Sequence, residues 1–228
     1  KMGCGTILII AVVGYFVMSS GVLNLGGMSG APTEQASGGA GGNVACDTAA
    51  EMESCKIVGS LEKTWAPLFA AAGARFQPAT LNFFDQQNQS GCGVAQAAMG
   101  PFYCPADQGI YIDTSFFAQM EQMGAGGDFA RAYVVAHEYG HHIQTLDGTA
   151  DQVRQAQGRA SQADGNAYQV RMELQADCYS GVWAKLSQES RGWRLEPGDI
   201  EEALNAASQI GDDTLQRRSQ GTVVPESF

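Results

Sequence analysis

All three histidines of this 228-residue chain lie within one short segment that begins at His137 and ends at His142. Apolar residues precede this segment and a glycine follows it, so the sequence predicts a single helix over 129–146 with Asp128 as its N-cap. Residues four apart on a helix differ by about 40° in direction. His137 and His141 therefore share a face, and any fold of this chain must position that face.

The segment has the pattern HExxH, which is typical of zinc sites on helices. Two imidazoles one turn apart bind one Zn²⁺ at about 2.0–2.1 Å each. Glu138 follows His137 directly, in the position of a base that takes a proton from an attacking water. His142 points about 140° away from His137, which predicts a structural or exposed histidine. A closed structural zinc site, or a match by chance without metal, are the alternatives.

A third protein ligand is expected on a later helix, predicted over 167–190. Glu173 and Asp177 lie one turn apart there, among apolar residues. Carboxylates in such a segment are costly unless they are paired or bound to metal. We therefore predict Glu173 as a metal ligand, and Asp177 as the acceptor of a hydrogen bond from the far nitrogen of a ligand histidine. The alternative is that Glu173 lies on a solvent-exposed face.

The other segments predict an α+β fold, with strands first and helices after. Hydrophobic residues make up 44% of the chain, which is enough for a packed core. The predicted elements are a helix over 57–72, strands at 80–84, 100–104 and 109–113, and helices over 129–146, 150–161, 167–190 and 199–210.

The start of the chain differs from the rest. The run Gly5–Leu25 carries no charge, and as a helix it would reach roughly 30 Å, the thickness of a bilayer's hydrocarbon core. It predicts a membrane-spanning anchor over residues 1–25. A cleaved signal peptide with small residues at Ser19–Gly21, or a buried core helix, are the alternatives. Residues 26–43 are rich in Gly, Ser and Ala and predict a flexible linker. The folded domain then spans 44–228.

Charge and cysteines restrict the class of protein further. The net charge of -11 argues against a nucleic-acid partner, because binding to phosphates requires an excess of Lys and Arg. The chain has six cysteines in no CxxC pair, which argues against a cysteine-based zinc ribbon. Outside the cytoplasm disulfides are permitted. We predict a Cys92–Cys104 disulfide and consider Cys46–Cys55 as a second, which leaves Cys178 over. The alternative is that all six are small buried hydrophobic residues.

The motifs His137–Gln144 and Glu173–Tyr179 resemble the putative neutral zinc metallopeptidase family of bacteria. The resemblance extends to Gly100–Asp107, to Ile210–Asp213 and to the apolar N-terminal segment. It implies a zincin-like fold of the gluzincin class, of which thermolysin is the familiar example, with a small sheet followed by a helical half. It also implies that Glu173 is the third ligand and that Asp177 supports the site. Family members usually continue past Phe228 with a further histidine and a late cysteine, so we expect the domain to be truncated there.

The resemblance implies a membrane-anchored metalloendopeptidase with one zinc ion, which cleaves peptides or proteins by means of Glu138. The catalytic domain would lie outside the cytoplasm, periplasmic or extracellular, on a single-pass anchor. Tyr168 and Tyr179 are candidates for stabilising the oxyanion, and the strand at Ile110–Asp113 is a candidate edge for an extended peptide. The alternatives are a non-catalytic zinc-containing binding or scaffold domain at the membrane surface, and a hydrolase of another amide.

Overall fold

The computed structural model describes residues 45–189 and 194–210, and within them the predicted α+β class is confirmed. The predicted anchor at Gly5–Leu25 and the linker over 26–43 lie outside these residues. Over the two described ranges, no helix is long and apolar enough to cross a bilayer. The elements in chain order are α1 (Ala49–Ala71), β1 (Thr80–Phe84), β2 (Gln87–Ser90), β3 (Gly93–Gln96), a 3-10 turn (Ala97–Met99), β4 (Phe102–Cys104), β5 (Gly109–Asp113), α2 (Ser115–Gln122), α3 (Asp128–Leu146), α4 (Thr149–Gln157), α5 (Gln162–Glu189) and α6 (Asp199–Ile210).

The three-stranded sheet has β5 at its centre, between β1 and β4. β1 runs parallel to β5, with Thr80 opposite Gly109, and β4 runs antiparallel, with Phe102 opposite Tyr111. Every residue of β5 is buried, as expected for a strand with neighbours on both sides. The prediction that Ile110–Asp113 forms a free edge for a peptide is therefore wrong. The edges of this sheet are β1 and β4, and an added strand would have to pair with one of them.

Helix α3 packs against α1, α5 and α6. Most of its surface is buried, which explains the run of small and apolar residues before the histidines. Its buried apolar side chains are Phe129, Ala130, Ala132, Val134, Val135, Ala136, Tyr139 and Ile143. His137 and His141 lie on a strip of α3 that is only half-buried. The helix that carries the motif is thus fixed on several sides and opens to solvent along this strip.

The two ends of α3 depend on glycines. Gly148 follows the last turn with a left-handed φ of 79°, as its position in the sequence predicted. At the other end the N-cap is Gly127, with φ 137°, and the predicted cap Asp128 is instead the first helical residue. The Phe129 amide donates to the carboxylates of Asp128 at 2.9 Å and of Glu202, on α6, at 3.2 Å. A side chain at Gly127 would collide with the Glu202 carboxylate.

Two disulfides tie the first half of the domain together. The predicted Cys92–Cys104 bond is confirmed, and it joins the β2–β3 turn to the end of β4. The Cys46–Cys55 bond is also present, and it fastens the segment before α1 to the helix itself. The antiparallel β2–β3 hairpin and helix α2 were not predicted from the sequence.

Candidate metal centre

His137 and His141 meet on α3 as the motif predicted. Their ring centroids are 4.9 Å apart, with the rings edge to face. Their side chains are 18% and 21% exposed, so both are reachable from solvent but largely surrounded by protein. The apolar residues on the other side of α3 fill the core and fix the rotation of the helix. The pair is thereby held in one direction, towards α5.

Helix α5 brings Glu173 to this pair. Its Oε2 atom lies 3.1 Å from His137 Nε2 and 3.4 Å from His141 Nε2. One ligand atom from each of these three residues lies within 4.8 Å of the other two. The two predicted ligand segments, separated by 36 residues between His137 and Glu173, therefore converge on one point.

The close approach of α3 and α5 depends on Gly140, which lies between the two histidines. A Cβ atom on Gly140 would lie 2.9 Å from Ala176 Cα and 3.0 Å from its carbonyl oxygen. Real Cβ atoms do not approach backbone so closely without a shift of one helix. The absence of a side chain at this position is what lets Glu173 reach the imidazoles.

Each ligand histidine is held from behind by a different partner. His137 Nδ1 lies 2.9 Å from Asp177 Oδ1, and the Tyr133 hydroxyl donates to the same carboxylate oxygen at 2.5 Å. His141 Nδ1 lies 2.9 Å from Gln144 Oε1. Both Nδ1 atoms thus act as donors, so on each ring Nε2 is the nitrogen that faces Glu173 and could bind a metal. Asp177 has the contact that was predicted for it, whereas Tyr133 and Gln144 had no predicted role.

The site favours positive charge. Burial alone would lower the pKa of His137, but hydrogen bonds with Asp177 and Glu173 outweigh burial and hold it well above the ordinary value. Burial alone would raise the pKa of Glu173, and hydrogen bonds with His137 and His141 outweigh it and hold that pKa well below the ordinary value. The carboxylates around the two imidazoles therefore favour a cation at the point where the rings meet.

Glu138 is half-buried beside this point. Its negative charge contributes to the raised pKa of His137 and of His141. It also contributes, after burial and the bond to Asp177, to the raised pKa of the Tyr133 hydroxyl. The charge of Glu138 thus acts on both imidazoles, and Glu138 is not one of the three converging groups.

The converging residues fit a zinc ion. Two imidazole nitrogens and one carboxylate oxygen are zinc ligands in proteins, and three protein ligands leave a fourth position of a tetrahedron open. The residues behind the two imidazoles also fit zinc, because a zinc-bound imidazole needs its other nitrogen protonated and oriented by a hydrogen-bond partner. Asp177 does this for His137, and Gln144 does it for His141.

The two predicted oxyanion candidates differ. Tyr179 is 4% exposed, and its hydroxyl donates to the Asp147 carboxylate at 2.9 Å, so the proposal that it contacts a substrate is wrong. Its ring packs edge-on against Trp65, with 5.2 Å between centroids, as a core residue does. Tyr168 is half-buried on α5, with the Arg171 guanidinium 5.8 Å above its ring. Its role stays a prediction.

His142 is structural. It is fully buried, with Nε2 2.7 Å from the Gln77 carbonyl and Nδ1 3.1 Å from the Tyr103 hydroxyl. The carbonyl can only accept, so His142 Nε2 donates and Nδ1 accepts from the Tyr103 hydroxyl. Burial lowers the pKa of His142. This neutral histidine links α3 to β4 and to the segment before β1, and it takes no part in the cluster.

Comparisons with known proteins give relatives of this chain and its family. The uncharacterized protein YpfJ of Escherichia coli (strain K12) is 47% identical over 229 residues, which cover 100% of this chain and 77% of that protein. The uncharacterized protein Rv2575 of Mycobacterium tuberculosis (strain ATCC 25618 / H37Rv) is 42% identical over 200 residues, or 80% of this chain and 65% of that protein. No solved structure matches the chain. The model of the family "Putative neutral zinc metallopeptidase" matches residues 1–228, and the chain belongs to that family.

Proposed function

We propose that this protein is a zinc-dependent endopeptidase that cleaves peptides or proteins. One observation carries the proposal: two imidazoles from α3 and one carboxylate from α5 converge on a single point, and the charge of Glu138, the residue after His137, acts on both imidazoles. Three protein ligands and a neighbouring general base suit catalysis, since structural zinc sites normally use four protein ligands. Family membership supports the same reaction class.

In this proposal the residues divide the work. His137, His141 and Glu173 would hold the zinc ion, which when bound would supply a Lewis acid for water and for the scissile carbonyl. Glu138 accepts the proton of the attacking water and delivers it to the leaving amine. Asp177 and Gln144 hold the two imidazoles in the orientation in which Nε2 faces the cation. The half-buried strip of α3 lets a peptide reach Glu138 while the rest of the helix stays in the core.

We also propose that the domain works outside the cytoplasm, tethered by the N-terminal segment. The Cys46–Cys55 and Cys92–Cys104 disulfides support this location, because such bonds persist in oxidising compartments. Protease added to intact cells or spheroplasts tests it. Degradation of the domain is expected in spheroplasts, in which the outer face of the cytoplasmic membrane is open to protease, and protection there would refute the location.

The substitution Glu138→Gln tests the catalytic role. The amide keeps the size of the side chain but cannot take a proton, so we expect peptide cleavage to fall by at least about 100-fold while zinc remains bound. Metal analysis and cleavage of a peptide library measure the two properties separately. The matched control is Glu121→Gln on α2, an exposed carboxylate 3.6 Å from Arg131. This control should cleave as the unmodified protein does.

Removal of zinc with a chelator distinguishes a peptidase from a non-catalytic scaffold. Cleavage that stops on zinc removal and returns on zinc addition supports a peptidase. Stoichiometric zinc with no cleavage of a diverse library would favour a non-catalytic zinc-containing domain. Cleavage that is equal with and without chelator would point to another chemistry.

A further inference from the structure

Gln144 is a buried amide behind the second ligand histidine. It lies three residues after His141 on α3, is 0% exposed, and accepts from His141 Nδ1 through Oε1 at 2.9 Å. A buried amide has four hydrogen-bonding positions to satisfy, so its contacts restrict its orientation. The distance of 2.9 Å between Gln144 Oε1 and His141 Nδ1 equals that between Asp177 Oδ1 and His137 Nδ1.

The orientation of the Gln144 amide is set by α5. Its Nε2 atom donates to the Met172 carbonyl at 2.8 Å and to Gln175 Oε1 at 2.9 Å. If the amide were turned over, its oxygen would face the Met172 carbonyl, and two acceptors would meet in a buried place. The oxygen must therefore face His141. This arrangement makes His141 Nδ1 the donor to Gln144, so the nitrogen that remains for a metal is Nε2, which faces Glu173.

The same amide connects the two ligand helices. Met172 immediately precedes Glu173, so the bond from Gln144 fixes the turn of α5 that carries the third ligand. One side chain thus orients a ligand on its own helix and holds the backbone next to a ligand on the other. Asp177 and Tyr133 form the corresponding link at His137.

We propose that Gln144 is a positioning residue for the metal, which sets zinc affinity by fixing the proton of His141 and the place of Glu173. The inference rests on the proposed zinc-dependent function. The competing explanation is that Gln144 is only a satisfied buried amide that contributes to the stability of the α3–α5 contact. The two explanations differ in zinc affinity, which a merely structural amide would leave unchanged in folded protein.

Competition with a chromophoric chelator measures the zinc dissociation constant of Gln144→Leu and Gln144→Glu. Leucine removes both links, and we expect zinc to bind about 10–100-fold more weakly, the usual effect of losing a partner behind a ligand. Glutamate keeps a similar volume and an acceptor for His141 but loses the donor to Met172. Its zinc affinity should lie between those of the unmodified protein and Gln144→Leu. If the leucine variant does not fold, the glutamate variant still carries the test.

The control is Ser187→Ala, which removes a buried hydroxyl on α5 that donates to the Ala184 carbonyl at 3.4 Å, in the part of the helix well after Asp177. Its zinc affinity should be unchanged. Cobalt in place of zinc adds a spectroscopic readout, and the visible spectrum of the Gln144 variants should shift relative to this control. Gln144 variants with lowered melting temperature but zinc affinity within about twofold of the unmodified protein would overturn the inference. If the unmodified protein itself binds no zinc, the proposed function fails as well.

Discussion

His141 and His142 are neighbours on α3 with opposite surroundings. His141 faces Glu173 and Gln144, and its pKa is raised, because burial is outweighed by the bond to Glu173. His142 faces the neutral Gln77 carbonyl and Tyr103 hydroxyl, and burial lowers its pKa. Burial therefore does not distinguish a candidate ligand from a structural histidine. The two are distinguished by whether carboxylates surround the imidazole ring.

The same contrast holds for the two sides of α3. On the side that faces α5, the two imidazoles interact with three acidic residues, Glu138, Glu173 and Asp177. The side that contains Tyr139 is apolar. The acidic group that acts on Tyr139 there is Glu62 of α1, which is partly buried. One helix thus separates a charged site from a neutral core. Substitutions on its two sides should fail in different ways.

The sharpest test compares His141→Ala with His142→Ala. Loss of His141 removes a ligand, so zinc affinity should fall by more than the roughly 10–100-fold that loss of an outer partner causes, with the fold retained. Loss of His142 removes the donor to the Gln77 carbonyl and the acceptor of the Tyr103 hydroxyl, and it opens a cavity. It should therefore cost about 2–4 kcal/mol of unfolding free energy. Zinc titration and chemical denaturation of both variants measure the two effects. Equal loss of zinc by folded protein in both would erase the distinction.

Gly140→Ala tests whether helix separation sets the site. The added methyl would meet the backbone of Ala176, so we expect a loss of about 1–3 kcal/mol in unfolding free energy together with weaker zinc binding. Gly181→Ala on α5 is the matched control, since a Cβ there meets no atom within 4 Å. It should gain up to about 1 kcal/mol from helix propensity alone. Unchanged zinc affinity in Gly140→Ala would show that side-chain flexibility absorbs the shift.

The smallest expected effect concerns Glu62→Gln on the neutral side. Burial raises the pKa of Glu62 above 4.5, so the folded protein keeps a proton over a pH range in which the unfolded chain has lost it. The unmodified protein therefore loses stability as pH rises from about 4.5 through the folded pKa, whereas the glutamine variant does not. Chemical denaturation at about pH 4 and pH 7 should give the variant a higher unfolding free energy than the unmodified protein only at pH 7. The same difference at both pH values would assign the effect to packing.

The pairing of the two histidines could be predicted because its signal is local. His137 and His141 share a helix turn, and the apolar pattern around them predicted α3 to within one residue at its start. Glu173 required a meeting of two helices, which the sequence suggested only through carboxylates in an apolar segment. The strands Thr80–Phe84 and Gly109–Asp113 were likewise found with their observed bounds.

The remainder depended on contacts distant in sequence. Sheet order placed β5 between β1 and β4, which no property of Ile110–Asp113 alone predicts. Gln144 could not be assigned a role, because its partners Met172 and Gln175 lie on another helix. By contrast, α2 had a visible signal, since Phe116, Phe117 and Met120 are spaced as one helical face and all are buried.

The carboxylate of Glu202 has a consequence for the order in which the domain is completed. It accepts from Phe129 at the first turn of α3, although the two residues are 73 positions apart. During synthesis, the first turn of α3 gains this contact only after α6 has left the ribosome. The nascent chain therefore carries His137 and His141 on a helix that can already pack against α1 but whose first turn still lacks its partner on α6.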